Sequence, residues 1–367
     1  MFDRRLIEYF DWVLLGVTLL LGLMGMGILY SAVAAGEIIP NRVLFIKQLI
    51  WFGAGLVLMF FSFLINYKNL DRWGIWLYIA SIALLASVLV FGKLVGGSQR
   101  WLVLGPVTMQ PSEIAKLAVI IFLAKYYAKY SNINGMSLRE LIKPFLIVLI
   151  PFMLIVKQPD LGTAMLIVLI AASMTIFVRI ERRTLISIMS VCIVTIPLIW
   201  FLLKGYQKQR ILTFLNPDRD PLGAGYHIIQ SKIAIGSGMI TGKGFLKGTQ
   251  NVLSFLPEQH TDFILSVLAE EWGFVGTGLI VLIYLLLIVW GLNIAHGCRE
   301  PFGVILSVGI TSMLFWQVFI NIAMVMGLMP VVGVPLPLIS YGGSSVITTI
   351  ISIGILININ MRRFMVD

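Results

Sequence analysis

Several groups of polar residues interrupt an otherwise apolar chain, and their types and spacing could do chemistry. Asp262 closes a long polar segment running from about Lys204 to Thr261, and the apolar run Phe263-Ile264-Leu265 follows at once. A carboxylate at such a junction can act as general base on a substrate that is partly in water and partly in lipid. It can equally serve as a helix N-cap, with Thr261 or Asp262 accepting from the free amides of the next helix. A cap holds the pKa of a carboxylate down, whereas enclosure at a membrane mouth pushes it up, and the sequence leaves these readings open.

Glu113 and Lys116 are three residues apart, so on a helix they share one face. A charge in a bilayer-spanning helix costs roughly 2.5–3.5 kcal/mol at the centre on insertion scales, so such residues pair or face a cavity. The pair is therefore either a structural ion pair or a cationic contact for a diphosphate in which Glu113 orients Lys116. Glu270 and Glu271 pose the same choice, structural hydrogen bonding or the lining of a cavity entered beside Asp262. The run Ser340-Tyr341-Gly342-Gly343-Ser344 opens the last apolar helix. Exposed amides at a glycine-rich helix start, flanked by hydroxyls, suit a phosphate, although glycines there also permit close helix packing. Arg100, Arg210 and Lys243 add cations that the topology places on the same side. Asp160, in Gln158-Pro159-Asp160, caps another helix start and is counted with these candidate substrate contacts.

The elements that must position these residues are membrane helices. Hydrophobic residues make up 59% of the 367 and charged residues 12%, and mean hydropathy is +0.97. Apolar runs predict ten spans, near Trp12–Ala32, Val43–Ile65, Gly74–Phe91, Ser112–Ala128, Leu141–Val156, Thr163–Val178, Leu185–Leu203, Phe263–Ala295, Phe302–Leu328 and Gly342–Ile359. The runs lack barrel alternation, so the expected class is an all-α integral membrane protein, a single polytopic domain over residues 1–367. Lys and Arg crowd one set of short loops (Arg4, Arg5, Lys68, Arg72, Arg139, Arg182, Arg183, Arg362 and others), which puts both termini in the cytoplasm. The segment 204–261 carries seven basic residues but is long enough to be translocated regardless, so it and Asp262 lie outside. Within it, Leu222 to Gly236 predicts a short amphipathic helix on or in the outer leaflet.

The net charge of +10 is dispersed over both sides, which suits anionic lipids and argues against nucleic acid. Cys192 in a span and Cys298 in a cytoplasmic loop are not placed to pair, and no metal-ligand spacing is present.

Several stretches together resemble the SEDS family (shape, elongation, division and sporulation), and its elongation branch in particular. They are Gly97-Ser98-Gln99-Arg100-Trp101, Gln110-Pro111-Ser112-Glu113-Ile114-Ala115-Lys116, Gln158-Pro159-Asp160-Leu161-Gly162-Thr163, Asp220-Pro221-Leu222-Gly223-Ala224-Gly225-Tyr226-His227, Leu256-Pro257-Glu258-Gln259-His260-Thr261-Asp262 and Gly333-Val334-Pro335-Leu336-Pro337 running into Ser340-Tyr341-Gly342-Gly343-Ser344. The resemblance spans nearly the whole chain in order. It implies a peptidoglycan glycosyltransferase of the bacterial cytoplasmic (inner) membrane that uses lipid II and undecaprenyl-diphosphate-linked glycan. It also implies a class B penicillin-binding protein and other elongation-machinery proteins as partners. By resemblance, Asp262 is the carboxylate required for polymerisation. Lys116, Arg210, Arg100 and the Gly342–Ser344 helix start are then expected to stabilise the departing diphosphate, with help from a divalent cation (Mg or Mn) whose ligands are not identifiable; no organic cofactor is expected. A lipid II flippase and a non-catalytic scaffold are the rival classes.

Overall fold

The computed structural model describes residues 9–34, 42–95, 98–105, 107–130, 135–203, 205–220, 223–253, 255 and 258–363. Arg4, Arg5, Gly97, Lys204, Pro221, Leu222, Leu256 and Pro257, used above, lie outside them. Each of the ten apolar runs coincides with a helix: α1 (Trp12–Ala34), α2 (Arg42–Leu64), α3 (Lys68–Phe91), α4 (Pro111–Tyr130), α5 (Leu138–Lys157), α6 (Leu161–Phe177), α7 (Arg182–Leu202), then α11 (Ile264–Gly297), α12 (Pro301–Val325) and α13 (Gly343–Arg362). Six of them, α1–α3 and α11–α13, are long and apolar enough to cross a membrane, and the chain is a multi-pass membrane protein. The bundle is inverted relative to a soluble protein. α2 turns Val43, Ile46, Leu49 and Phe60 outward, whereas α12 and α13 are buried along most of their length. α13 packs chiefly on α2, α3 on α4, and α11 on α12, so the end of the chain runs through the middle of the molecule.

Buried polar side chains close the helix ends where carbonyls run out. Asn358 of α13 donates to Ile65 O at 2.6 Å and Ser62 O at 2.5 Å, satisfying the end of α2. Asp11 accepts from Trp290 Nε1 at 2.7 Å and Asn360 Nδ2 at 2.8 Å, fixing the start of α1 to α11 and α13. Cys298 is a free, buried thiol.

One feature departs from the sequence reading. The fold is not wholly helical: β1 (Lys93–Val95), β2 (Ser98–Leu104) and β3 (Val107–Met109) form a small antiparallel sheet in the order β1-β2-β3 between α3 and α4. Its register pairs Leu102 with Met109 and Val103 with Thr108, which puts Arg100 and Trp101 on opposite faces of β2. The long connection folds into α8 (Gly205–Leu215), a 3-10 turn (Pro217–Arg219), α9 (Ala224–Ser237) and α10 (Thr249–Val252). The expected amphipathic helix is α9, and one face of it packs on protein. Ile228 and Ala234 are buried, and Ser231 Oγ donates to Val325 O at 2.7 Å.

Candidate functional site

The surroundings of Asp262 are set by a break in the helix that follows it. Gly273, at φ 63° and ψ −160°, interrupts α11 after a fully buried stretch from Ile264 to Glu271. Only a residue without Cβ adopts that backbone readily, and a Cβ here would lie 2.3 Å from Gly242 N. The backbone groups freed by the break are taken up by the connection: Phe274 N donates to Met239 O at 2.9 Å, Val275 N to Ile240 O at 3.1 Å, and Lys243 N to Glu270 O at 3.0 Å. Beyond it, Phe274, Val275, Leu279 and Leu282 are exposed, as lipid-facing residues should be. The sequence reading had merged two helices into one span, because a single glycine in an apolar run gives no break signal.

The first of these helices starts without a side-chain cap. Its N-cap position is Phe263, and no side chain accepts there. The capping role open to Thr261 and Asp262 is therefore not realised. Among the described residues the Asp262 carboxylate makes no hydrogen bond, while its backbone carbonyl accepts from Asn321 Nδ2 at 2.9 Å. Asn321 also holds Val334 O at 2.7 Å, and a Cβ on Gly333 would sit 3.2 Å from Asp262 Oδ2. Thr261 O accepts from Ser340 Oγ at 2.6 Å, and His260 O from Tyr341 N at 2.9 Å. The backbone on either side of the carboxylate is thus pinned to the turn before α13, with the carboxylate itself left over.

Enclosure by protein pushes the Asp262 pKa up from the ordinary carboxylate range to about 6. Glu258 adds to the rise and Asp160 adds a little more, while Arg100 and Arg210 oppose it. His227 stacks on Phe263 at 5.7 Å between centroids, and burial lowers its pKa, so it stands as a neutral imidazole beside the site near pH 7.

The predicted site residues divide into three groups. Arg100 and Arg210 belong to the surroundings of Asp262. Arg100 donates through Nη2 to Pro159 O, and its buried Nε has no hydrogen-bond partner among the described residues; Arg210 donates to Val331 O at 3.1 Å. Asp160, Ser340, Gly342, Gly343 and Ser344 build the frame. Asp160 caps α6 through Thr163 N (3.2 Å) and Thr163 Oγ1 (3.0 Å) and accepts from Gln110 Nε2 (3.2 Å). Ser344 Oγ accepts from Gln110 N at 3.0 Å, and Gly342 N donates to Gln48 Oε1 at 3.1 Å, tying the start of α13 to α4 and α2.

Glu113, Lys116 and Lys243 form the third group, engaged elsewhere. Lys116 meets Glu113 at 2.8 Å with both side chains buried, and Lys243 meets Glu270 at 2.7 Å. The Glu113–Lys116 contact is common to both readings of this pair, and Glu113 Oε2 is left without a partner among the described residues. Glu270 also accepts from Thr249 Oγ1 at 3.0 Å and Gln250 N at 3.1 Å, and Glu271 from Ser31 Oγ at 2.5 Å. Both glutamates are struts between α11 and its neighbours. Among the described residues no three His, Cys, Asp or Glu side chains converge to hold a metal ion.

Sequence reasoning missed Glu258 and a set of aromatic residues. Glu258 Oε2 accepts from Thr261 Oγ1 at 2.9 Å, and its φ of 57° turns the chain just ahead of Asp262. Next to Thr261 lies a cavity of about 130 Å³ walled by Trp51, Trp101 and Tyr341 over the backbone of Gly342 and Gly343. Its walls come from α2, β2 and the turn before α13, so no local pattern announces it.

Residues 11–364 match the FtsW/RodA/SpoVE family, described as cell cycle protein. The chain is 44% identical to the peptidoglycan glycosyltransferase MrdB of Escherichia coli K12, over 98% of this chain and 97% of that one. It is 33% identical to the peptidoglycan glycosyltransferase RodA of Treponema pallidum, over 98% and 99%. Its fold superposes with a TM-score of 0.82, at 33% identity and covering 97% and 98%, on a chain of a peptidoglycan synthase complex that coordinates polymerization and crosslinking. The rod shape determining protein RodA of Thermus thermophilus gives 0.71 at 28% identity, covering 97% and 98%. The chain belongs to the FtsW/RodA/SpoVE family, the SEDS family expected from its sequence motifs.

Proposed function

We propose that this chain is a peptidoglycan glycosyltransferase that polymerises lipid II into β-1,4-linked glycan with Asp262 as general base. The observation that carries the reading is the state of that carboxylate. It is uncapped, enclosed, and raised to a pKa of about 6, so it is ionised near neutral pH yet basic enough to take a proton. In the proposed reaction Asp262 removes the proton from the 4-hydroxyl of the terminal GlcNAc of lipid II. The oxygen attacks the anomeric carbon of the glycan held on undecaprenyl diphosphate. The bond to the diphosphate breaks with inversion, and its electron pair leaves on the lipid diphosphate. Negative charge grows on that group, and Arg100 and Arg210, both already acting on Asp262, are the cations placed to stabilise it. The open Nε of Arg100 gives a donor for a phosphate oxygen. No step is assigned to a metal ion.

The proposal also takes all ten long helices as spans, in the bacterial inner membrane, with both termini cytoplasmic as the basic loops require. A class B penicillin-binding protein is the proposed partner, supported by the structural likeness to a chain of a complex that couples polymerization to crosslinking. The test gives the purified chain, alone and with such a partner, labelled lipid II in detergent with transpeptidation blocked. Glycan ladders that vanish in Asp262→Ala are expected. Folded, partner-bound wild type that makes none would contradict the enzyme reading, and lipid II translocation indifferent to Asp262→Ala would favour a flippase.

A further inference from the structure

We propose that the aromatic cavity beside Asp262 is a platform for one pyranose ring of the acceptor, an inference that rests on the glycosyl-transfer reading above. Trp51 of α2, Trp101 of β2 and Tyr341 wall it, and the hydroxyl-bearing Thr108 and Thr261 stand at its edges. Three large aromatic side chains from three separate elements all keep partial exposure around this space rather than closing on one another. A sugar ring offers two C–H faces and a rim of hydroxyls. An indole face is electron-rich and suits the C–H face, and a few polar groups at the edge suit the rim. At about 130 Å³ the cavity is of the order of one ring, and the rest of the acceptor extends outward.

The backbone is shaped to hold this wall. A Cβ on Gly343 would fall 2.8 Å from three atoms of the Trp51 indole, so glycine at 343 lets the ring lie against the start of α13. Tyr341 is fixed from the other side by its amide bond to His260 O, at 2.9 Å, with the two rings 6.0 Å apart. Thr261 Oγ1 donates to Glu258 Oε2 at 2.9 Å, which leaves its oxygen free to accept from a sugar hydroxyl. Thr261 lines the cavity and Asp262 is the next residue, so a ring seated there is one residue along the chain from the proposed base.

The test is binding of the GlcNAc-β-1,4-MurNAc disaccharide to the purified full-length chain, read by saturation-transfer NMR and titration in detergent. Wild type and Asp262→Asn should bind alike. Trp101→Ala and Gly343→Ala should each weaken binding about tenfold, and Trp101→Phe should recover most of it, since an aromatic face is kept. With lipid II, Trp101→Ala should raise KM far more than it lowers kcat. Melting of each variant separates loss of the platform from loss of fold, and Trp101→Phe carries the test if Trp101→Ala unfolds. Binding that is undetectable in wild type, or equal in Trp101→Ala, Trp101→Phe and Gly343→Ala, overturns the platform alone if glycan ladders still depend on Asp262. Binding lost in Trp101→Ala, in a chain that when folded and partner-bound makes no ladders, upholds the cavity as a sugar site and overturns the transferase reading.

Discussion

Asp160 and Asp262 are both aspartates at the start of an apolar helix, and the fold treats them in opposite ways. Asp160 is fully engaged: it bonds Thr163 N and Oγ1 and Gln110 Nε2, and its helix α6 runs unbroken from Leu161 to Phe177. Asp262 bonds nothing through its carboxylate among the described residues, and the helix after it breaks at Gly273. On the proposed mechanism this difference is what makes one aspartate structural and the other reactive. A cap spends the lone pairs of a carboxylate on backbone amides, whereas pinning only the flanking backbone leaves them for a substrate. The arrangement around Asp262 does the second through Asn321, Ser340 and Tyr341.

The largest expected contrast is in rate. Asp262→Asn should lower polymerisation by about 10²–10⁴-fold, the usual contribution of a general base, with substrate binding retained. Asp160→Ala should retain polymerisation to within about tenfold, because it loses a cap and not the proton acceptor. Equal losses in a lipid II polymerisation assay would erase the distinction. Next comes Gly273→Ala, which forces a Cβ into a backbone region nearly confined to glycine and should cost about 2–3 kcal/mol by thermal unfolding. An alanine in mid-α6, at Met165, should cost less than that, since the backbone there is helical throughout.

The two aspartates should also differ in stability. Asp160→Ala removes a buried cap and should destabilise by about 1–2 kcal/mol at neutral pH. Asp262→Asn should do the reverse. Between the ordinary carboxylate range and about 6 the folded chain holds the Asp262 proton while the unfolded chain has released it, so stability falls as pH rises through that window. Above about 6 the cost of the buried charge is complete. Residual exposure screens part of it, leaving about 1 kcal/mol, or about 2–4 °C in Tm, for Asp262→Asn to recover at pH 8 and nothing to recover at pH 4. An Asp262→Asn chain that melts below wild type at pH 8 would show that the carboxylate is a stabilising cap after all.

Much of this was legible before the fold was seen. The ten helices were, because bilayer-length apolar runs leave few alternatives. So was the grouping of Arg100 and Arg210 near Asp262, since topology gathers these polar residues on one face. The fate of the lysines was only half legible. Glu113 lies one turn from Lys116 and announces its pairing, but Glu270 reaches Lys243 from a distant part of the chain. The sheet that carries Arg100 and Trp101 hid between two spans as strands of three, seven and three residues. The break at Gly273 and the aromatic cavity were illegible for one reason: both are made by segments far apart in sequence, the first by the loop around Met239 and the second by Trp51, Trp101 and Tyr341.

The measurement that most directly tests Asp262 as an enclosed general base is the pH dependence of kcat/KM for lipid II polymerisation. Wild type should gain activity as pH rises, with an acidic limb near 6, the value that enclosure imposes on Asp262. Arg100→Gln should move that limb upward, because Arg100 holds the pKa down, and Glu258→Gln should move it downward. A limb in the ordinary carboxylate range, or one that ignores both substitutions, would contradict the account.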